Sequence, residues 1–224
     1  MDGYPTHGQI DRVVAGSFQG LLGLKYAMHY SLQAAAYHEA GHVVAQVVTY
    51  RTVLFPRPKP SPLILYVEIV EEAPNRWAGC FVGPLLYHQS WLEDPQLMDK
   101  YDGLIAYQAV ILLAGGIAQA IWSGERTADD AFRVALSHGG MDEEFEDTDG
   151  DLERILNAMD DLSKVTGGYY EPKDVAEPTY SLLLKHWPAV EALAAALVKT
   201  NRIDGGAVEA IIDDAMRVAH EPHA

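Results

Sequence analysis

The chain has 224 residues, 49% of them apolar and 21% charged, which suits one globular domain with a sizeable core, or such a domain plus an extension. Its net charge of −16 would repel a phosphate backbone and an anionic membrane surface, so neither a nucleic acid nor a membrane is expected as partner. A lone cysteine, Cys80, excludes an internal disulfide and suits a reducing, cytoplasmic setting; in its strand-like context it reads as a small buried apolar residue.

Residues 1–30 lack a basic start and carry Gly3, Gly8, Gly16, Gly20 and Gly23. They are expected to form a partly ordered extension ahead of a domain over 31–224. Ser31 is placed to cap a helix over about 32–48. Within it stands Tyr37-His38-Glu39-Ala40-Gly41-His42, a His-Glu-x-x-His motif in an apolar, helix-favouring run. Residues four apart share a helix face, so His38 and His42 can bind one tetrahedral zinc ion. Glu39 then stands beside the metal, where it can take a proton from a metal-bound water.

Four alternating prolines, Pro56, Pro58, Pro60 and Pro62, predict an extended loop. Residues 63–70 and 76–84 are rich in β-branched and aromatic side chains and predict two strands, joined through Pro74 and Asn75 as a hairpin. The fold class is therefore mostly α (α+β), with a small β-hairpin or sheet beside the motif helix. Residues 85–100 look irregular. A helix over about 104–123 is apolar nearly all round and is expected to be buried. Its longest apolar run, 109–122, is too short to cross a bilayer and contains Gln119. The pair Gly115-Gly116 inside it marks either a kink or the close approach of another helix, such as the motif helix.

A short helix over 127–137 is capped by Thr127 and ends at His138-Gly139-Gly140. Residues 142–153 are dominated by acids, as solvated loops are. Asp151 nevertheless opens an amphipathic helix with Leu152, Ile155, Leu156, Met159 and Leu162 on one face. The stretch Asp147-Thr148-Asp149-Gly150-Asp151 has a calcium-loop look, but Leu152 and Ala158 stand where an EF-hand loop needs glycine and glutamate. His88 and His138 have no partner at metal-binding spacing. Helices over 174–185, 188–198 and 207–219 follow, with a turn at 203–206 and a frayed end holding His220 and His223.

Residues 35–45 resemble the signature helix of the FtsH-type peptidases, zinc endopeptidases usually fused to an AAA ATPase module and membrane helices. Leu113-Ala114-Gly115-Gly116-Ile117-Ala118-Gln119 is similar to their Leu-Gly-Gly-Arg-Ala-Ala-Glu helix, with Gly116 in place of Arg and Gln119 in place of Glu. The run from His186 to Ala207 resembles their C-terminal helices, so the likeness spans about 31–219. It implies a zincin-like peptidase domain, zinc as cofactor and a peptide or unfolded protein as substrate. It also implies a third zinc ligand, an aspartate that opens a helix. Asp151 fits that role better than Asp130 or its neighbour Asp129, because it directly precedes the C-terminal helices and its helix runs unbroken; the 126–138 helix is then an insertion. No Gly-x-x-x-x-Gly-Lys-Ser/Thr occurs, so ATP is not expected to bind, and an unfoldase would be a separate chain. A homo-oligomer is the other partnership the resemblance implies.

The function so implied is a zinc metalloendopeptidase. Glu39 would assist attack of a zinc-bound water on a peptide bond, and an extended substrate would align along the edge of the 63–70/76–83 sheet by main-chain pairing. The alternatives are a non-proteolytic relative that binds metal or a partner, and a metal-free helical scaffold.

Overall fold

The capping residue does what its position predicts. In the computed structural model, which describes residues 23–29, 31–54, 63–83, 95–138 and 151–220, the Ser31 hydroxyl accepts from the Ala34 N–H at 3.1 Å. Helix α1 then runs over Leu32–Thr49. Its alanines lose no side-chain entropy on folding. Apolar residues surround it, so it lies inside the protein, with Ala35, Ala36, Ala40, Val43, Val44 and Ala45 fully buried. A π-helical turn, Tyr50–Leu54, ends it.

The remaining helices are α2 (Pro95–Ser123), α3 (Ala128–His138), α4 (Asp151–Thr166), α5 (Ala176–Lys185), α6 (Trp187–Thr200) and α7 (Gly205–His220). A 3-10 turn, Pro172–Val175, leads into α5. Helix α2 begins within the stretch that looked irregular, because proline at Pro95 is tolerated in a first helical turn. Its Gly103–Ser123 portion is long and apolar enough to cross a membrane, contrary to the expectation from 109–122 alone. Here 78% of its most apolar stretch is buried inside the protein, so it packs as a core helix.

Beside the helices lies an antiparallel sheet of four strands in the order β1-β3-β2-β4. These are β1 (Gly23–His29), β2 (Tyr66–Ala73), β3 (Arg76–Val82) and β4 (Arg202–Asp204). The predicted hairpin is its centre, with Val67 opposite Phe81 and Ile69 opposite Gly79. Asn75 makes the turn in a left-handed conformation (φ 61°) that asparagine tolerates, and its N–H donates to the Glu71 carboxylate at 3.1 Å. The two outer strands were not predicted. Strand β1 comes from the segment read as an extension, and β4 from the segment read as a turn. The class is the expected one, mostly α with a small antiparallel sheet. Residues 1–22, the proline loop at 56–62, His88, the acidic run and calcium-like stretch at 142–150, the side chain of His138 and His223 lie outside the described residues.

Three ties hold this frame around α1. The Tyr37 ring stacks between Trp122 of α2 and Trp187 of α6, with centroids 5.3 and 5.8 Å apart. Helix α6 ends on left-handed Asn201, whose carbonyl accepts from the Ile69 N–H of β2 at 2.7 Å. Buried Glu209 of α7 accepts from the Leu63 N–H at 2.8 Å and pairs with Arg51 at 3.4 Å, just beyond α1. Closest of all is the approach of α2 to α1. A Cβ at Gly41 would lie 2.5 Å from the Ala114 carbonyl oxygen and 2.6 Å from the Ala118 Cβ. Alanine is the better helix former by about 1 kcal/mol. The clash with backbone atoms that cannot swing aside, at about 1–3 kcal/mol, should outweigh that gain. Gly41→Ala is therefore expected to lower the urea midpoint of unfolding without changing the slope.

Candidate metal centre

One helical turn puts the two motif histidines on the same side of α1, and the fold brings the start of α4 to meet them. His38 Nε2 and His42 Nε2 are 3.0 Å apart. The Asp151 Oδ2 lies 3.1 Å from the first and 3.0 Å from the second. Ligands bound to one tetrahedral ion at zinc-like bond lengths are roughly 3.3 Å apart, so this triangle is close to metal-ready. His38, His42 and Asp151 form a group that could hold a metal ion. The histidines are buried and the Asp151 side chain is 18% exposed, which leaves one side of the group open to solvent.

Asp130, the other candidate, is turned to local work. Its backbone N–H donates to the Thr127 hydroxyl, and its carboxylate accepts from that hydroxyl at 2.7 Å and pairs with Arg133. Asp129 is exposed on the same turn. Neither belongs to the metal-ready group.

Surrounding groups orient the histidines. The Ile111 carbonyl can only accept, so His42 Nδ1–H donates to it at 2.7 Å and the Nε2 lone pair faces the centre. Gln119, buried on α2, acts on His38 through a side-chain hydrogen bond. Gly115 of α2 leaves the central space open: a Cβ there would collide with His42 Nε2 and lie 2.7 Å from His38 Nε2. The glycine pair thus serves close approach rather than a helix break, with Gly116 fitting against Ala135 of α3.

Glu39 packs against β3 and is coupled by charge to His42 and Asp151. A Cβ at Gly79 would lie 2.6 Å from Glu39 Oε1, so only glycine leaves room for the carboxylate. Its Oε2 is buried and has no hydrogen-bond partner among the described residues. An unpaired buried carboxylate oxygen is costly and marks a place where a ligand or water belongs. Sequence reasoning missed Gly79, although a glycine inside a strand is itself a sign of close approach.

The charges are strongly coupled. Burial pulls His42 down, but the charge and hydrogen bond of Asp151, the charge of Glu39 and the Ile111 carbonyl outweigh it and raise its pKa to about 9. Burial alone would push Asp151 up; the two imidazoles overcome that and hold it well below the usual carboxylate range. Burial lowers His38, with the Asp151 hydrogen bond opposing. Burial raises Glu39 to about 8, opposed by His42 and reinforced by Asp151. The carboxylates of Asp151 and Glu39 thus favour positive charge at this centre. The donor set, the space at Gly115 and the unpaired Glu39 oxygen all fit a divalent metal of the kind imidazole and carboxylate bind.

No protein-family model matches the chain, and no curated protein matches it.

Two outcomes follow from this geometry. Asp151→Ala and Gly115→Ala should each lower divalent-metal affinity by at least about ten- to a hundredfold in a calorimetric titration, while Asp130→Ala leaves it unchanged. Glu39 should also affect the stability of the metal-free protein. Its folded pKa lies above the unfolded one, so its stabilising contribution is complete below about 4.5 and is lost as pH rises through about 8. Glu39→Gln, which cannot ionise, should therefore raise the melting temperature of metal-free protein more at about pH 9 than at about pH 6.

Proposed function

We propose that this chain is a zinc-dependent metalloendopeptidase related to the FtsH-type peptidase domain. The observation that carries the reading is the convergence of His38, His42 and Asp151 beside a buried Glu39 that takes no part in their triangle. A structural zinc site is closed by four protein ligands, whereas a catalytic one has three and an open position. Among the described residues three groups converge, Asp151 is partly exposed, and Glu39 is near enough to couple by charge to His42 and Asp151. The resemblance rests on the His-Glu-x-x-His helix, the glycine-bearing helix and an aspartate at a helix start, with Gly116 and Gln119 as departures from it.

Zinc held by these three residues would polarise a substrate carbonyl and lower the pKa of a water to about 7. The residues of the chain do the rest. Glu39 takes the attacking water's proton on its free Oε2 and delivers it to the leaving amine nitrogen. Burial raises its pKa, so the ionised carboxylate is a stronger base than an exposed one. His42 is locked by Ile111, so its Nε2 cannot turn away. Gly79 gives Glu39 the room to reach across.

Zinc-loaded protein should cleave an unfolded substrate such as casein, lose that activity to a chelator and regain it on adding zinc. Glu39→Gln should retain zinc by elemental analysis while hydrolysis falls by about 10²–10⁴-fold. Undiminished cleavage by that variant overturns the mechanism. Bound zinc with persistent inactivity of the parent chain favours the alternative, a non-proteolytic metal-binding relative.

A further inference from the structure

We propose that the outer edge of β3 is the peptide-binding edge of this site, and that β1 is its intramolecular occupant, a tethered strand that substrate must displace. The proposal rests on the peptidase reading for what binds there, an extended peptide, but its geometry is independent of catalysis.

β3 is the strand that borders the metal centre. Gly79 fits against Glu39, and the Phe81 ring lies 5.8 Å from the His42 ring. An extended peptide brought to this centre would pair with a free edge of β3, because main-chain hydrogen bonds to a sheet edge are the general way an extended chain is held. β3 has two edges. β2 takes one, in regular register past Gly79, and β4 covers the far side of β2. β1 takes the other. It runs antiparallel to β3, with Gly23, Leu24 and Lys25 opposite Val82, Phe81 and Cys80, then Met28 and His29 opposite Ala78 and Trp77. The chain thus fills with its own backbone the position a substrate would take.

Two features make β1 a displaceable occupant. First, its pairing is broken at the site. Between the Lys25–Cys80 and Met28–Ala78 pairs, β1 carries two residues, Tyr26 and Ala27, against the single Gly79. An extra residue of this kind disrupts the ladder locally and bends the strand. The regular main-chain alignment that would present a peptide bond to Glu39 is therefore interrupted at that point. Second, only Tyr30 and Ser31 separate β1 from α1 in the chain, and β1 begins at a glycine, a residue of low strand preference. Covalent linkage to α1 gives β1 a high local concentration at this edge, so it competes with peptide in solution.

The test uses the full chain with Glu39→Gln, so that nothing is cleaved, and a fluorescein-labelled peptide copying residues 23–29 as probe. Lys25→Cys places a thiol directly opposite Cys80, the chain's lone cysteine; opposite residues of antiparallel strands fall within disulfide range. In the oxidised variant both thiols should become unreactive and the probe should not bind, while reduction restores binding. Leu24→Pro, which weakens β1 pairing, should bind the probe at least about tenfold more tightly than the parent, because apparent affinity scales with the fraction of open edge. Equal probe binding by oxidised and reduced protein overturns the proposal, as does no binding by any form. Failure of the disulfide to close, with unchanged affinity in Leu24→Pro, overturns it too. If no zinc-loaded Glu39 form cleaves peptide but probe binding follows the disulfide, the peptidase reading falls and the competing strand stands.

Discussion

Everything in this molecule depends on how closely α2 passes α1. Two glycines permit it from opposite sides of the contact: Gly41 on the motif helix, against the backbone at Ala114, and Gly115 on α2, against the imidazoles of His38 and His42. Side chains at either point would force the helices apart and close the space at the centre of the site. The same contact brings the Ile111 carbonyl to His42 and Gln119 to His38. Packing and chemistry are therefore one constraint here. The residues that allow the core to form also aim the ligands, and α1 can bury five polar side chains, His38, Glu39, His42, Gln46 and Thr49, without losing its place in the core.

Such burial is costly, and the site shows how the cost is met. His42 and Asp151 compensate each other through charge and hydrogen bonding. Glu39 feels the His42 charge, but its Oε2 has no hydrogen-bond partner among the described residues. Removing a charged partner from a buried pair costs several kcal/mol as a rule, so this cluster is tolerable only while each member has an opposite charge or a proton to answer it. A divalent cation would answer all of them together.

The sequence was most legible where local chemistry and tertiary role coincide. Ser31, the alanine run and the His-Glu-x-x-His spacing all speak of one helix, and the helix is there with its cap. Asp151 was also readable, because a helix-opening acid followed by a clean apolar face is a local pattern. The competing Asp130 looked similar in sequence but was drawn into its own cap by Thr127 and Arg133, a choice only the fold reveals. The outer strands were not legible. β4 is three residues long, and β1 is glycine-flanked and without clean alternation; each exists because a partner strand offers an edge, not because its own residues demand extension. Gly79 was missed because its reason lies across the sheet, in the side chain of Glu39.

The third corner of the triangle comes from far along the chain. Asp151 is 113 residues from His38 and 109 from His42, with the sheet hairpin and two helices between them. Contacts of such sequence separation form late, since the entropy of closing a long loop must be overcome before they contribute anything. A nascent chain that has emerged only as far as α3 holds the histidine pair and the glutamate but no site. The group that could hold a metal therefore comes together only once the second half of the polypeptide has folded onto the first.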